Sequence, residues 1–192
     1  MLFVVLVAGG CSFGGESGGT VQLDELPRLV LQPDDLPAAF DRFDEGRQAA
    51  ADNPGGSRAD PERFGRRDGW KARYRRSGSQ TTPGPLVVES RVDLFESSGG
   101  AEDDLDAARE DLTEGDLEWQ PIGEPGLGDE SFAATLVQGS DLSEVRFYQV
   151  FWRQGDVGAS VNVNGFEGRL TLAEALDLAR KQERRILAAS RT

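Results

Sequence analysis

Alternating apolar and polar positions divide much of the chain into predicted β-strands. Residues 70–75 place Trp70, Ala72 and Tyr74 on one face, with Lys or Arg between them, which is typical of a strand packed on a core. Residues 86–96 alternate in the same way after a turn at residues 83–85. The pattern therefore predicts that these two strands pair antiparallel.

The clearest hairpin is predicted near the C-terminus, between residues 145–153 and 157–164. Its first strand carries Phe147 and Phe151 on one face. Its other face carries apolar side chains as well, among them Trp152. A strand that is apolar on both faces is typical of the centre of a sheet.

Two long amphipathic helices complete the pattern. The first has a narrow apolar stripe, made by Ala101, Leu105, Ala108 and Leu112. The second begins at a capping box formed by Thr171 and Glu174. The order of elements predicts an α+β fold in a single domain, with an antiparallel sheet of about six or seven strands and two long helices packed on one face.

The N-terminus resembles the signal of a bacterial lipoprotein. Residues 1–8 are apolar but too few to span a bilayer as a helix. The stretch Val7-Ala8-Gly9-Gly10-Cys11 resembles a lipobox, the motif whose cysteine thiol receives a diacylglyceryl group. It departs from the common pattern because Ala8 replaces leucine and no positively charged segment precedes it.

The lipobox resemblance sets the expected organisation of the chain. Residues 1–10 are predicted to be a signal peptide truncated at its N-terminus, residues 11–29 a lipidated Cys11 with a flexible Gly/Ser-rich linker, and residues 30–192 the folded domain. The expected location is the extracytoplasmic face of the cell membrane, where the lipid on Cys11 is the anchor.

Composition removes several classes of function. The 192 residues include 21 Lys and Arg against 34 Asp and Glu, and the net charge of −13 argues against nucleic acid as a partner. The chain contains no histidine, which excludes Ser-His-Asp catalysis and His-containing zinc sites. Nine carboxylates lie within residues 102–118, but they lack EF-hand spacing. We therefore predict no metal site and no cofactor.

Two local motifs deserve comparison with catalytic sites. Residues 15–19 match the G-x-S-x-G pattern of serine hydrolases, but no strand, helix or histidine accompanies them. Asp129 and Glu130 follow a glycine-rich turn and offer the one local carboxylate pair for a hydrolase that works without histidine. The competing interpretation is a turn in which Asp129 bonds to nearby backbone amides. No catalytic residue is predicted.

Four segments resemble known bacterial proteins. They are residues 34–40 (DDLPAAF), 69–74 (GWKARY), 126–131 (GLGDES) and 151–157 (FWRQGDV). These segments resemble uncharacterised lipoproteins of GC-rich bacteria and, more loosely, the extracellular sensor-type domains of actinobacterial Ser/Thr kinases. The resemblance implies an extracytoplasmic α+β domain that holds an apolar or cell-envelope ligand between its sheet and helices.

The expected function is non-catalytic binding of an apolar or envelope ligand, or of a protein partner. A ligand-sized gap is predicted on the apolar side of the sheet, under the two helices, with Trp70, Tyr74, Phe147 and Phe151 among its lining residues. These rings face a helix that offers mainly alanines, so the layer opposite them is thin. The alternatives are a carboxylate-dependent envelope hydrolase and a purely structural envelope protein.

Overall fold

A computed structural model describes residues 21–48, 62–140 and 143–191. The predicted signal peptide, Cys11 and the residues up to Thr20 lie outside this range. Within the described part, seven strands form one antiparallel sheet in the order β1-β2-β3-β7-β6-β5-β4. The strands are β1 (Asp41–Arg47), β2 (Arg66–Arg75), β3 (Val87–Phe95), β4 (Gln120–Gly123), β5 (Glu130–Gln138), β6 (Val145–Gln154) and β7 (Val157–Phe166).

Three α-helices pack on this sheet, namely α1 (Leu26–Leu29), α2 (Ser98–Glu114) and α3 (Leu172–Ala189). The predicted capping box of α3 is present, since Thr171 and Glu174 bond to each other's backbone amides. The α+β class, the single antiparallel sheet and the single domain are confirmed. The described helices are too short or too polar to cross a membrane.

The two long helices lie on opposite faces of the sheet, which corrects the prediction that both pack on one face. On the α3 face, Val150 and Trp152 of β6 belong to the main core together with residues of α3. On the α2 face, Phe132 and Phe151 pack against Leu105 of α2 in a second, smaller cluster. Strand β6 is apolar on both faces, so each face needs a helix to shield it from water.

The folded domain begins earlier than the sequence pattern predicts. Val21, Leu26 and Leu29 are at most 2% exposed and belong to the main core, so they are not part of a flexible linker reaching residue 29. Helix α3 holds the segment that follows. Lys181 donates to the backbone carbonyl of Asp35 at 3.0 Å, and Arg185 pairs with the Asp35 carboxylate at 2.8 Å.

Strand β1 begins at Asp41 and forms one edge of the sheet. Residues 49–61 lie outside the described range, and a single 3-10 turn, Arg63–Gly65, precedes β2. Phe64 and Gly65 both have positive φ, which prevents the turn from continuing as an α-helix.

Candidate functional site

The structure separates the four aromatic residues that the sequence placed around one gap. Trp70 and Tyr74 lie on the α3 face, where Tyr74 is fully buried and its hydroxyl donates to the carbonyl of Leu31. Phe147 and Phe151 lie on the α2 face. The four side chains therefore do not line a common cavity, because the sheet passes between the two pairs.

Phe147 and Phe151 line an open groove on the α2 face. Helix α2 covers only one end of this face, where Leu105 and Ala108 pack on Phe151 and Phe132. The uncovered part spans β3, β7 and β6 and encloses about 400 Å³, a volume within the range of small-molecule sites. The lining side chains on this face are Val87, Glu89, Arg91, Phe147, Gln149, Phe151, Ser160, Asn162 and Asn164.

The strand register arranges the groove floor in rows. Glu89 of β3 is opposite Asn162 of β7, which is opposite Gln149 of β6, so three polar side chains lie side by side. A second row lies two residues along each strand and consists of Val87, Asn164 and Phe147. Side chains opposite each other on adjacent strands lie close enough to contact one ligand together.

Glu89 is the one carboxylate among the lining residues, and it is held by cations. It accepts hydrogen bonds from Arg91 and Arg73, and Asn162 donates to it at 3.3 Å. Burial by itself would raise the pKa of Glu89, but the two guanidinium groups outweigh burial and hold the pKa below its ordinary value. Glu89 therefore stays ionised near neutral pH and is a poor proton donor.

Other polar groups of the floor have no partner within the described residues. The amides of Gln149 and Asn164 and the hydroxyl of Ser160 make no hydrogen bond there, although all three line the groove. The Oδ1 atom of Asn162 is buried and has no donor in the same part of the chain. Buried or half-buried polar groups are normally paired, so this set indicates a surface that completes its hydrogen bonds with a bound molecule or solvent.

Asp129 and Glu130 have structural roles in the turn between β4 and β5. The carboxylate of Asp129 accepts from the backbone amide of Gly155 at 2.7 Å and from the side chain of Gln154 at 3.2 Å, which fixes the β6–β7 turn. Glu130 accepts from Arg109 at 2.8 Å, and this hydrogen bond lowers the pKa of Glu130. These contacts favour the turn interpretation over a catalytic carboxylate pair.

The described residues include no group of three or more Asp, Glu, Cys or His side chains placed to hold a metal ion. In α2, Arg109 pairs with Asp106 at 2.7 Å, and Asp104 is buried near Gly158 of β7. The carboxylates of α2 thus point in different directions around the helix axis, as its periodicity requires.

Sequence reasoning identified two of the residues that line the groove. It proposed Phe147 and Phe151 but passed over Glu89, Gln149 and Asn162. The available signal was the alternation of β7, in which Ser160, Asn162 and Asn164 fall on the face opposite the valines. Such a face is usually solvated, and the position of α2 that turns it into a groove depends on tertiary packing.

Comparison with known proteins shows that this chain has the fold of a solved structure. No protein-family model matches the chain, and no curated protein matches its sequence. Among solved structures, the chain is similar to the extracellular domain of PknH from Mycobacterium tuberculosis, with a TM-score of 0.54 and 10% identity over 90% of this chain and 98% of that chain. The resemblance to extracellular domains of actinobacterial kinases is therefore confirmed as a shared fold.

Proposed function

We propose that this chain is a lipid-anchored, extracytoplasmic domain that binds a polar component of the cell envelope in the groove, without catalysing a reaction. The observation that carries the proposal is a set of polar groups on one concave surface that have no hydrogen-bond partner among the described residues, namely the side chains of Gln149, Asn164 and Ser160 and the Oδ1 of Asn162. Convergent polar groups in a concave site are typical of ligand recognition. The likeness to an extracellular domain supports the location.

The groove suits binding better than hydrolysis. Hydrolysis by carboxylates needs a second acidic group and a pKa raised toward neutrality in one of them. Glu89 stands alone among the lining residues, and the pKa of its carboxyl is lowered. Asp129 and Glu130 are not among the residues that line the groove.

An apolar ligand fits the groove less well than a polar one. An acyl chain lying on Gln149, Ser160 and Asn164 would remove water from their polar groups without replacing the hydrogen bonds. Each such group costs about 1–3 kcal/mol when it is left unsatisfied. The three together would cancel much of the gain from burying a lipid on Phe147.

The anchor is tested by lipidation of Cys11. We expect the chain, expressed in a bacterium behind a positively charged signal segment, to partition into the detergent phase, and the Cys11→Ser variant to partition into water. Two acyl chains bind a membrane stably because each buried methylene contributes about 0.8 kcal/mol. Aqueous partition of both proteins would overturn the lipid anchor and leave the groove proposal untouched.

Ligand binding is tested by NMR with the unlipidated Cys11→Ser chain. Soluble fractions of bacterial envelope are added, and backbone amide shifts are followed for β3, β6 and β7. We expect saturable shifts centred on residues 89, 149 and 162, and no covalent change in the added material. If no peptide, lipid or glycan fraction shifts any groove amide, the purely structural alternative is favoured.

A further inference from the structure

We infer that the ligand of this groove is a neutral saccharide, bound by side-chain amides and one aromatic ring. The inference rests on the proposed function and specifies the ligand chemistry. It follows from the charge balance of the groove, from the type of its unpartnered polar groups, and from the position of Phe147 beside them.

The charges of the groove are already paired within the protein. Among its lining residues, Glu89 and Arg91 bind each other, and Arg73 of the neighbouring strand also binds Glu89. Glu89 and Arg91 carry opposite charges, so the lining has no net charge to offer an ion. The chain as a whole carries −13, which repels anions at long range. A ligand without formal charge is therefore favoured.

The unpartnered groups match hydroxyl chemistry. A side-chain amide offers both donors and an acceptor, and a serine hydroxyl does the same. A sugar hydroxyl likewise donates one hydrogen bond and accepts others. Gln149 on β6 is opposite Asn162, and Asn164 lies two residues further along β7, so Gln149 and Asn164 are diagonal neighbours and hydroxyls of one saccharide can reach both. Asn162 of β7 is directly opposite Gln149, and its buried Oδ1 is a further acceptor.

Phe147 supplies the apolar part of a saccharide site. It is directly opposite Asn164 in the strand register and is half-buried at the edge of the groove. Aromatic faces carry negative charge density and attract positively polarised C–H groups, which cover one side of a pyranose ring. The ring of Phe151 is not available for such a contact, because it is buried and stacked on Phe132 at a centroid distance of 4.8 Å.

An extended peptide is the main competitor and fits less well. Peptides that add to a sheet pair with the backbone of an edge strand. The groove lies on β3, β7 and β6, each of which is paired with a neighbouring strand on both sides. Only side chains are available there, and amide side chains beside an aromatic ring favour a ligand that is rich in hydroxyl groups.

The test is a titration of the Cys11→Ser chain with neutral hexose and pentose oligosaccharides of several units, followed by backbone amide shifts. We expect Gln149→Ala and Phe147→Leu each to weaken binding about tenfold, which corresponds to about 1.4 kcal/mol. Gln120→Ala is the matched control, because Gln120 is an exposed amide on the edge strand β4. It is expected to leave the affinity unchanged.

The other outcomes separate the two proposals. Saturable groove shifts with a peptide or a lipid, but with none of the oligosaccharides, would overturn the saccharide inference and leave the proposed function standing. Preference for sulfated or carboxylated sugars, lost in Arg91→Gln, would overturn neutrality. Equal weakening by Gln120→Ala would show that binding does not occur in the groove. If nothing tested shifts the groove amides, both proposals fail.

Discussion

Ser90 of β3 and Gln182 of α3 are joined by a buried hydrogen bond of 2.7 Å from the serine hydroxyl to the amide oxygen. The same hydroxyl oxygen accepts from the backbone amide of Leu31 at 2.9 Å, and the amide group of Gln182 donates to the carbonyl of Arg91 at 2.7 Å. Sheet, helix and N-terminal segment therefore meet at one hydrogen-bonded polar centre inside an apolar core.

The first prediction is that Ser90→Ala destabilises the protein strongly. It leaves the Leu31 amide and the Gln182 oxygen without their partner, and two buried unsatisfied groups cost about 3 kcal/mol together. Ser160→Ala is the matched control, since Ser160 is also buried but makes no hydrogen bond within the described residues. We expect it to cost less than about 1 kcal/mol. Urea unfolding measures both, and equal losses would contradict the role of Ser90.

The second prediction concerns the start of the domain. A chain that begins at Val21 is expected to unfold cooperatively with the stability of the full chain. A chain that begins at Gln32 lacks Leu26, Leu29 and Leu31, each buried in the main core. Burial of one such side chain contributes about 1.5–3 kcal/mol, so their loss approaches the 5–15 kcal/mol stability of a typical domain. Thermal unfolding followed by circular dichroism distinguishes the two chains.

The third prediction is a pH dependence set by Glu89. The pKa of its carboxyl is lower in the folded protein than in the unfolded chain, because Arg91 and Arg73 favour the ionised form. Its contribution to the free energy of unfolding is therefore fully present above the unfolded pKa, and it is lost as the pH falls through the folded pKa. Glu89→Gln is expected to cost about 2 kcal/mol at pH 7, because the buried Arg91 and the half-buried Arg73 lose an ionised acceptor.

The difference between wild type and Glu89→Gln should shrink as the pH falls below about 4.5. Urea unfolding at several pH values between 7 and 3 measures this difference directly. Glu118→Gln is the control, because Glu118 is exposed and its variant should follow wild type throughout. A difference that stays constant down to pH 3 would show that the charge of Glu89 does not stabilise the fold.

The fourth prediction compares two glycines of the turn before β5. Gly126 and Gly128 both have positive φ, so alanine at either position costs about 1 kcal/mol from the backbone alone. A Cβ at Gly128 would lie 2.1 Å from the carbonyl oxygen of Arg153, whereas a Cβ at Gly126 would meet nothing within 4 Å. Gly128→Ala is therefore expected to cost about 3 kcal/mol, because β6 must shift as well. Similar unfolding midpoints would contradict this.

The sequence was sufficient to predict the long strands and the two long helices, but not the face of the sheet on which α2 packs or the start of the folded domain. Alternation identified the faces of β2, β3 and β6, because a period of two follows directly from the backbone of a strand. The stripe of α2 showed that the helix buries one side, but not which face of the sheet receives it. Phe151 indicates that face, because an aromatic ring on the second face of β6 must be shielded from water by another element.

The polar residues of the groove could not be predicted from a local sequence pattern, because they come together only through the tertiary structure. Glu89 is at least 60 residues away in sequence from both Gln149 and Asn162. Only the pairing of β3 with β7 brings Glu89 beside these two residues. Their surroundings also depend on where α2 ends its coverage of the sheet. The role of Asp129 as a turn residue, in contrast, was predictable from the adjacent glycines and the tendency of aspartate to bond to backbone amides.

Strand β6 has a consequence for how this protein can evolve. Odd-numbered residues such as Phe147 and Gln149 face the groove, and even-numbered residues such as Val150 and Trp152 face the main core. Inserting or deleting one residue would exchange the two sets and place Trp152 outside the core. Change in ligand preference is therefore confined to substitutions at alternate positions, and the length of the strand is fixed by the opposite face.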